Sequence, residues 1–204
     1  RDLRMSRGLG DVYKRQDYAS NLSLFLGDGL LQNLEAWTGN SITALGDVTF
    51  TDGITPVVYY NQLDERYAGK AYGTDNIGGY GCGPTAMAIV VSSLTDDMVD
   101  PVEMAEWSYN NGYWCKSSGS YHALIPAAAG EWGLPVSGCT TAEPQRITDA
   151  LANGKLVVAI MSEGHFTSSG HFIVLRGVKD GKIMVADPAS YTPVSYTHLR
   201  AHET

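Results

Sequence analysis

Four side chains in this 204-residue sequence have the types and the spacing to carry out acyl chemistry. Cys82 stands between Gly81 and Gly83, and Pro84, Thr85 and the apolar run Ala86-Met87-Ala88-Ile89-Val90-Val91 follow. Proline suits the first turn of a helix, where its missing N–H costs nothing. Cys82 is therefore expected at the N-terminus of a buried helix. There the unpaired N–H groups and the helix dipole stabilise a thiolate, the reactive form of the residue. The bland alternative is a small buried cysteine beside a turn; the flanking glycines and the helix start favour the reactive reading. His171 opens an apolar strand and supplies a base, and Asp187 ends the next strand and supplies an orienting carboxylate. Gln62, twenty residues before Cys82, carries an amide that can donate to a developing oxyanion, although a surface glutamine is its plainer reading. A nucleophile, a base and an orienting group imply acyl transfer. His171 takes the thiol proton, the thiolate attacks a carbonyl, and the oxyanion rests on the Cys82 backbone N–H and the Gln62 amide. His171 then protonates the leaving amine, and water clears the acyl-enzyme.

The elements must bring these groups together, and register decides whether they can. Residues 171–178 and 182–187 read as antiparallel strands joined by Lys179-Asp180-Gly181. A two-residue loop at Asp180-Gly181 would pair Asp187 with Val174 and put it on the face opposite His171. A three-residue loop with Gly181 left-handed would pair Asp187 with Ile173, on the face of His171 and one diagonal step away. A His–Asp pair therefore predicts a three-residue loop with a bulge. Elsewhere the pattern predicts a short strand at 57–60 leading into a polar loop, and a glycine-rich loop over 72–79. It also predicts helices over 100–107, 120–129 and 144–152, and a fully apolar strand over 156–161. Residues 42–50 have strand character, and Asp52-Gly53 is a turn signal. The leucine-rich stretch 17–39 reads as one or two short helices.

The remaining candidates are weaker. His165 lies in a loop and reads as cleft-lining or exposed, and His122 reads as a structural residue on a helix. Cys115, Cys139, His122 and His165 have no compact ligand spacing, so no metal and no cofactor are expected. An odd count of three cysteines allows one disulfide, with Cys115 and Cys139 the natural pair in an exported protein; two independent thiols are the alternative.

Both ends are foreign in character. Residues 6–16 and 194–204 are what the two strands of one DNA segment encode in different frames, as a translated sequencing adapter would. Residues 1–16 and 194–204 are therefore set aside as adapter-derived. Residues 17–54 read as an N-terminal extension or linker, and 55–193 as the main domain, truncated at its C-terminal end. The net charge is −8, and without the two ends it is about −11, which disfavours nucleic acid and anionic membrane as partners. No apolar run is long enough to span a bilayer.

Gln62-Leu63-Asp64, Gly81-Cys82-Gly83-Pro84-Thr85, Gly170-His171-Phe172-Ile173-Val174 and Ala186-Asp187-Pro188 together resemble the papain-like cysteine peptidases related to bacteriocin (double-glycine) leader peptidases. The resemblance covers about residues 55–193. It implies an α+β, papain-like fold, with the nucleophile helix packed on an antiparallel sheet. It implies a cysteine peptidase or amidase, with Cys82, His171 and Asp187 as the triad and Gln62 at the oxyanion. It also implies a monomer acting on peptide or peptidoglycan-peptide substrates, extracellular or cell-wall associated in a bacterium. A transglutaminase-like acyl transferase uses the same three side chains, and a non-catalytic binding module could share the scaffold. The chain departs from the family in ending soon after Asp187 and in showing no adjoining transporter, which leader-peptide processing would require.

Overall fold

The computed structural model describes residues 35–36, 48–140, 142–161, 170–189 and 194–198. The leucine-rich helices expected over 17–39 lie outside the described residues, apart from an extended pair at Glu35–Ala36 (β1). Val48–Phe50 (β2) pairs antiparallel with Val57–Tyr59 (β3), Phe50 opposite Val57. A small hairpin of Ala71–Tyr72 (β4) and Asp75–Asn76 (β5) leads into a single helical turn, Ile77–Tyr80 (α1). Asn76 caps that turn by accepting from the Gly79 N–H at 2.7 Å. The 72–79 segment expected as loop is thus largely a hairpin followed by a capped turn.

Gly81 then joins α1 to the central helix, Cys82–Leu94 (α2). Its N–H donates to the Ile77 carbonyl, and its own carbonyl accepts from Thr85 N–H. Every residue of α2 from Gly83 to Ser92 is buried. A helix that is apolar on all sides has no stable place but a core. Its two serines are satisfied there: Ser92 Oγ donates to Val99 O at 2.9 Å, and Ser93 Oγ accepts from Val58 N–H at 2.9 Å, tying β3 to the helix.

Pro101–Asn110 (α3) starts as expected, with Asp100 Oδ1 accepting from the N–H groups of Val102 and Glu103. Trp114–Cys115 (β6) and Gly119–Ser120 (β7) form a hairpin. The helix expected from residue 120 begins later, as Leu124–Glu131 (α4), because Ser120 is held in β7 by pairing with Trp114. Pro144–Ala152 (α5) matches its expected bounds. Val157–Met161 (β8), His171–Lys179 (β9), Lys182–Ala186 (β10) and Val194–His198 (β11) complete the described elements.

The main sheet is antiparallel, in the order β1-β11-β10-β9-β8. Alternation along β9 splits its side chains between two cores. Phe172 and Val174 join the larger one, with Met87 and Ile89 of α2, Met104 of α3 and Leu124 of α4. Ile173 and Leu175 face the other way, onto Ile147 and Leu151 of α5. This is the expected α+β layout, with the nucleophile helix against one face of an antiparallel sheet. Beyond β10 the sheet carries β11, whose backbone pairs Lys182 opposite His198 and Ile183 opposite Thr197.

The hairpin reaches the expected register by another device. Its loop has two residues, not three, and both are left-handed, Asp180 with φ 52° and Gly181 with φ 73°. That geometry fits the twist of the strands it joins. Lys179 faces Lys182, and Gly177 faces Met184. The register then slips by one, so that Val185 faces Leu175 and Ala186 faces Val174. Arg176 is the extra residue of this bulge. One step further on, Asp187 lies across from Ile173, on the face of His171. The buried Arg176 side chain donates from Nη1 to Asp52 Oδ1 at 2.7 Å and stands 4.3 Å over the Phe50 ring.

Candidate active site

Cys82 is the first residue of α2, half-buried, where first-turn N–H groups lack intrahelical acceptors. Its neighbours are glycines for want of space. A Cβ on Gly81 would lie 2.6 Å from the Ile77 carbonyl oxygen, and one on Gly83 would lie 2.6 Å from Ser120 Oγ. Beneath this junction the fully buried Tyr72 hydroxyl shares hydrogen bonds with Ser108 Oγ (2.7 Å) and Ser120 Oγ (2.6 Å). Burial pushes the Tyr72 phenol up to about 12; the nearby Cys82 and Cys115 thiols add to this, and the serine hydrogen bonds oppose it. Tyr72 therefore stays neutral and locks β4, α3 and β7 around Cys82.

His171 opens β9 and is 7 % exposed. Its Nε2 lies 2.6 Å from Asp187 Oδ1, which also accepts from the Ala189 N–H at 2.9 Å. The Cys82 thiol is close enough to the imidazole to help raise its pKa. With Nε2 given to the carboxylate, Nδ1 is the nitrogen left for sulfur. Burial pulls the imidazole pKa down, but the hydrogen bonds and charges of Asp187 and Cys82 outweigh it and push the value up to about 10. The arrangement favours an imidazolium, which is what a thiolate beside it requires.

Gln62 follows β3 and is buried. Its amide nitrogen donates to Gly78 O at 2.9 Å and to Ile77 O at 3.3 Å, on the turn that precedes Cys82. Two carbonyls beside Nε2 fix the amide's orientation. Gln62 is thus brought to the cysteine's side of the site, with its donors resting on backbone rather than in open space. Its main-chain N–H donates to Pro188 O at 2.7 Å, so the same residue also touches the aspartate's strand.

Sequence reasoning missed two groups. Tyr59 donates from Oη to the Asp187 carbonyl at 2.7 Å and accepts from Asn61 Nδ2 at 3.2 Å. Burial and the Asp187 charge hold its phenol well above the usual range, so it remains a donor. Nothing in Val57-Val58-Tyr59-Tyr60 marks Tyr59 as more than a core aromatic, because its partner lies 128 residues away. Ser120 is the other; its only local sign was the demand for a glycine at position 83.

His122 sits in the turn before α4 with its ring edge-on to Phe172, 5.9 Å between centroids. His165 lies outside the described residues. Cys115 and Cys139 form no disulfide. Cys139 packs on the core beside α5, while Cys115, close to Tyr121, raises that phenol's pKa. The disulfide allowed for an exported protein is therefore absent, and the two independent thiols are what the structure has. Among the described residues, no cluster of three His, Cys, Asp or Glu side chains could hold a metal ion. No helix among them is long and apolar enough to cross a membrane.

Comparison with known proteins gives one match. The model of a family described as the Peptidase_C39 like family matches residues 54–202. No curated protein and no solved structure matches the chain.

Proposed function

The chain belongs to the Peptidase_C39 like family, whose members are in general cysteine peptidases, and on that premise we propose that Cys82, His171 and Asp187 hydrolyse peptide or amide bonds through an acyl-enzyme. The observation that carries this reading is the imidazole of His171, held at 2.6 Å by the Asp187 carboxylate, with the Cys82 thiol near enough to help raise its pKa. Asp187 accepts from Nε2–H and so selects the tautomer whose Nδ1 can take the thiol proton. The thiolate attacks the substrate carbonyl carbon, and a C–S bond forms as the carbonyl π pair moves to oxygen. That oxyanion is held by the Cys82 backbone N–H, with the Gln62 amide as second donor once one of its N–H groups turns from the carbonyl it now serves. His171 passes its proton to the leaving amine. It then draws a proton from water, which attacks the thioester and restores the thiol.

We extend the proposal to a monomeric enzyme outside a bacterial cell, acting on exported or cell-wall peptides, on the strength of the four-motif resemblance. Timed alkylation tests the nucleophile. With limiting iodoacetamide, Cys82 should be labelled faster than Cys115 and Cys139, and the Cys82→Ala protein should cleave no peptide amide that the parent protein cleaves. Equal labelling of the three thiols would sink the reading. Products formed with and without an added primary amine separate hydrolysis from acyl transfer: a new amide would identify the transferase.

A further inference from the structure

We propose that Tyr59 is a positioning residue, its hydroxyl and the main-chain N–H of Gln62 together forming a brace that sets the spacing between Asp187 and the cysteine's side of the site. The inference rests on the cysteine-peptidase reading above for the part Asp187 plays. Two hydrogen bonds of 2.7 Å run from one short segment to two consecutive carbonyls: Tyr59 Oη to Asp187 O, and Gln62 N–H to Pro188 O. The segment is itself stiffened. Asn61 donates to Tyr59 Oη, which aims the phenol proton at Asp187, and Asn61 Oδ1 accepts from Leu63 N–H at 2.8 Å, closing a turn around Gln62.

The other end of the brace is anchored at the nucleophile. The Gln62 side chain holds the carbonyls of Ile77 and Gly78, and the Ile77 carbonyl also receives the N–H of Gly81, next to Cys82. An unbroken chain of bonds thus runs from Asp187-Pro188 through Tyr59 and Gln62 to α1 and Cys82. Asp187 lies just beyond the last residue of β10, where the ladder has ended. Its backbone depends on this brace where a mid-strand residue would depend on strand pairing. Tyr59 is 2 % exposed, and its ring packs 5.1 Å from Phe50, so removal of the hydroxyl alone leaves the packing intact.

The test compares Tyr59→Phe with Ser92→Ala, which deletes a buried hydroxyl at the far end of α2. Both are assayed well below their unfolding temperatures. Tyr59→Phe should lower kcat about tenfold with KM changed less than twofold, since a small misplacement of a catalytic group is felt in the chemical step. The basic limb of its pH profile, and the His171 titration followed by NMR, should both move to lower pH as the Nε2–Oδ1 bond lengthens. Ser92→Ala should change neither. Should Tyr59→Phe fail to fold, Asn61→Ala keeps the phenol but loses its orientation and should move both readouts in the same direction. An unchanged kcat and an unchanged His171 titration in the folded variant would overturn the brace. If the parent protein cleaves no amide, the peptidase reading fails while the NMR titration still decides the brace.

Discussion

The imidazole of His171 is pushed toward its charged form by what surrounds it. A buried histidine alone would titrate below 6.5, yet Asp187 and Cys82 bring this one to about 10. The sign follows for stability. A folded-state pKa above the unfolded value stabilises the fold fully below about pH 6.5 and loses that contribution as pH rises through about 10. Urea denaturation of the parent protein should therefore show a falling midpoint between neutral and alkaline pH. Asp187→Asn should flatten that fall, move the basic limb of kcat/KM to lower pH and reduce kcat on the order of 10²-fold or more. A variant that keeps the parent's alkaline limb would show that Asp187 does not govern the imidazole. At this scale the sequence was legible where chemistry is local. Gly81-Cys82-Gly83-Pro84 announced a helix start, and the helix starts at Cys82. Gln62 was legible only as a donor; that its amide lies on the Ile77 and Gly78 carbonyls depends on a loop approach that no residue type encodes.

The β9–β10 hairpin shows how an element can reach the right end by an unexpected route. The His–Asp pair demanded a one-residue slip in register, and the slip was expected at the turn. Asp180-Gly181 instead closes as a two-residue turn, and the slip occurs at Arg176. A bulge inside a strand leaves little trace in composition, and Arg176 after Phe172-Ile173-Val174-Leu175 reads only as a lone charge. Its burial is explained by Asp52 and Phe50, which come from a segment more than 120 residues earlier. Removing one partner of a buried pair leaves the other uncompensated. Arg176→Ala should cost about 3 kcal/mol in urea denaturation and broaden the hairpin's amide signals. Because Nε and Nη2 of Arg176 find no partner among the described residues, the double change Arg176→Met with Asp52→Asn should recover much of that loss. A double variant no better than Arg176→Ala would mean that the charge pair itself holds the bulge.

At the scale of the molecule, the main sheet continues past β10 into β11. Residues 194–198 pair with β10 although their sequence reads as foreign. The two observations are compatible, because an edge strand is recruited through backbone N–H and C=O groups that every residue carries. Its registered pairs with β10 lie at Lys182 and Ile183, beside the turn and away from Asp187. A chain ending at residue 193 should therefore keep its kcat and lose only a few degrees of Tm. A collapse of activity would make that strand part of the working domain. By itself, the sequence determined the apolar helix behind Cys82, the α+β alternation of periods, the hairpin and the candidate site residues. Each of these is written in local spacing and residue type. Only the tertiary structure decided the position of the bulge, the lack of a disulfide between Cys115 and Cys139, and the brace from Tyr59 and Gln62 to Asp187-Pro188. Those depend on which distant backbone and side-chain atoms meet once two cores have packed on either face of one sheet.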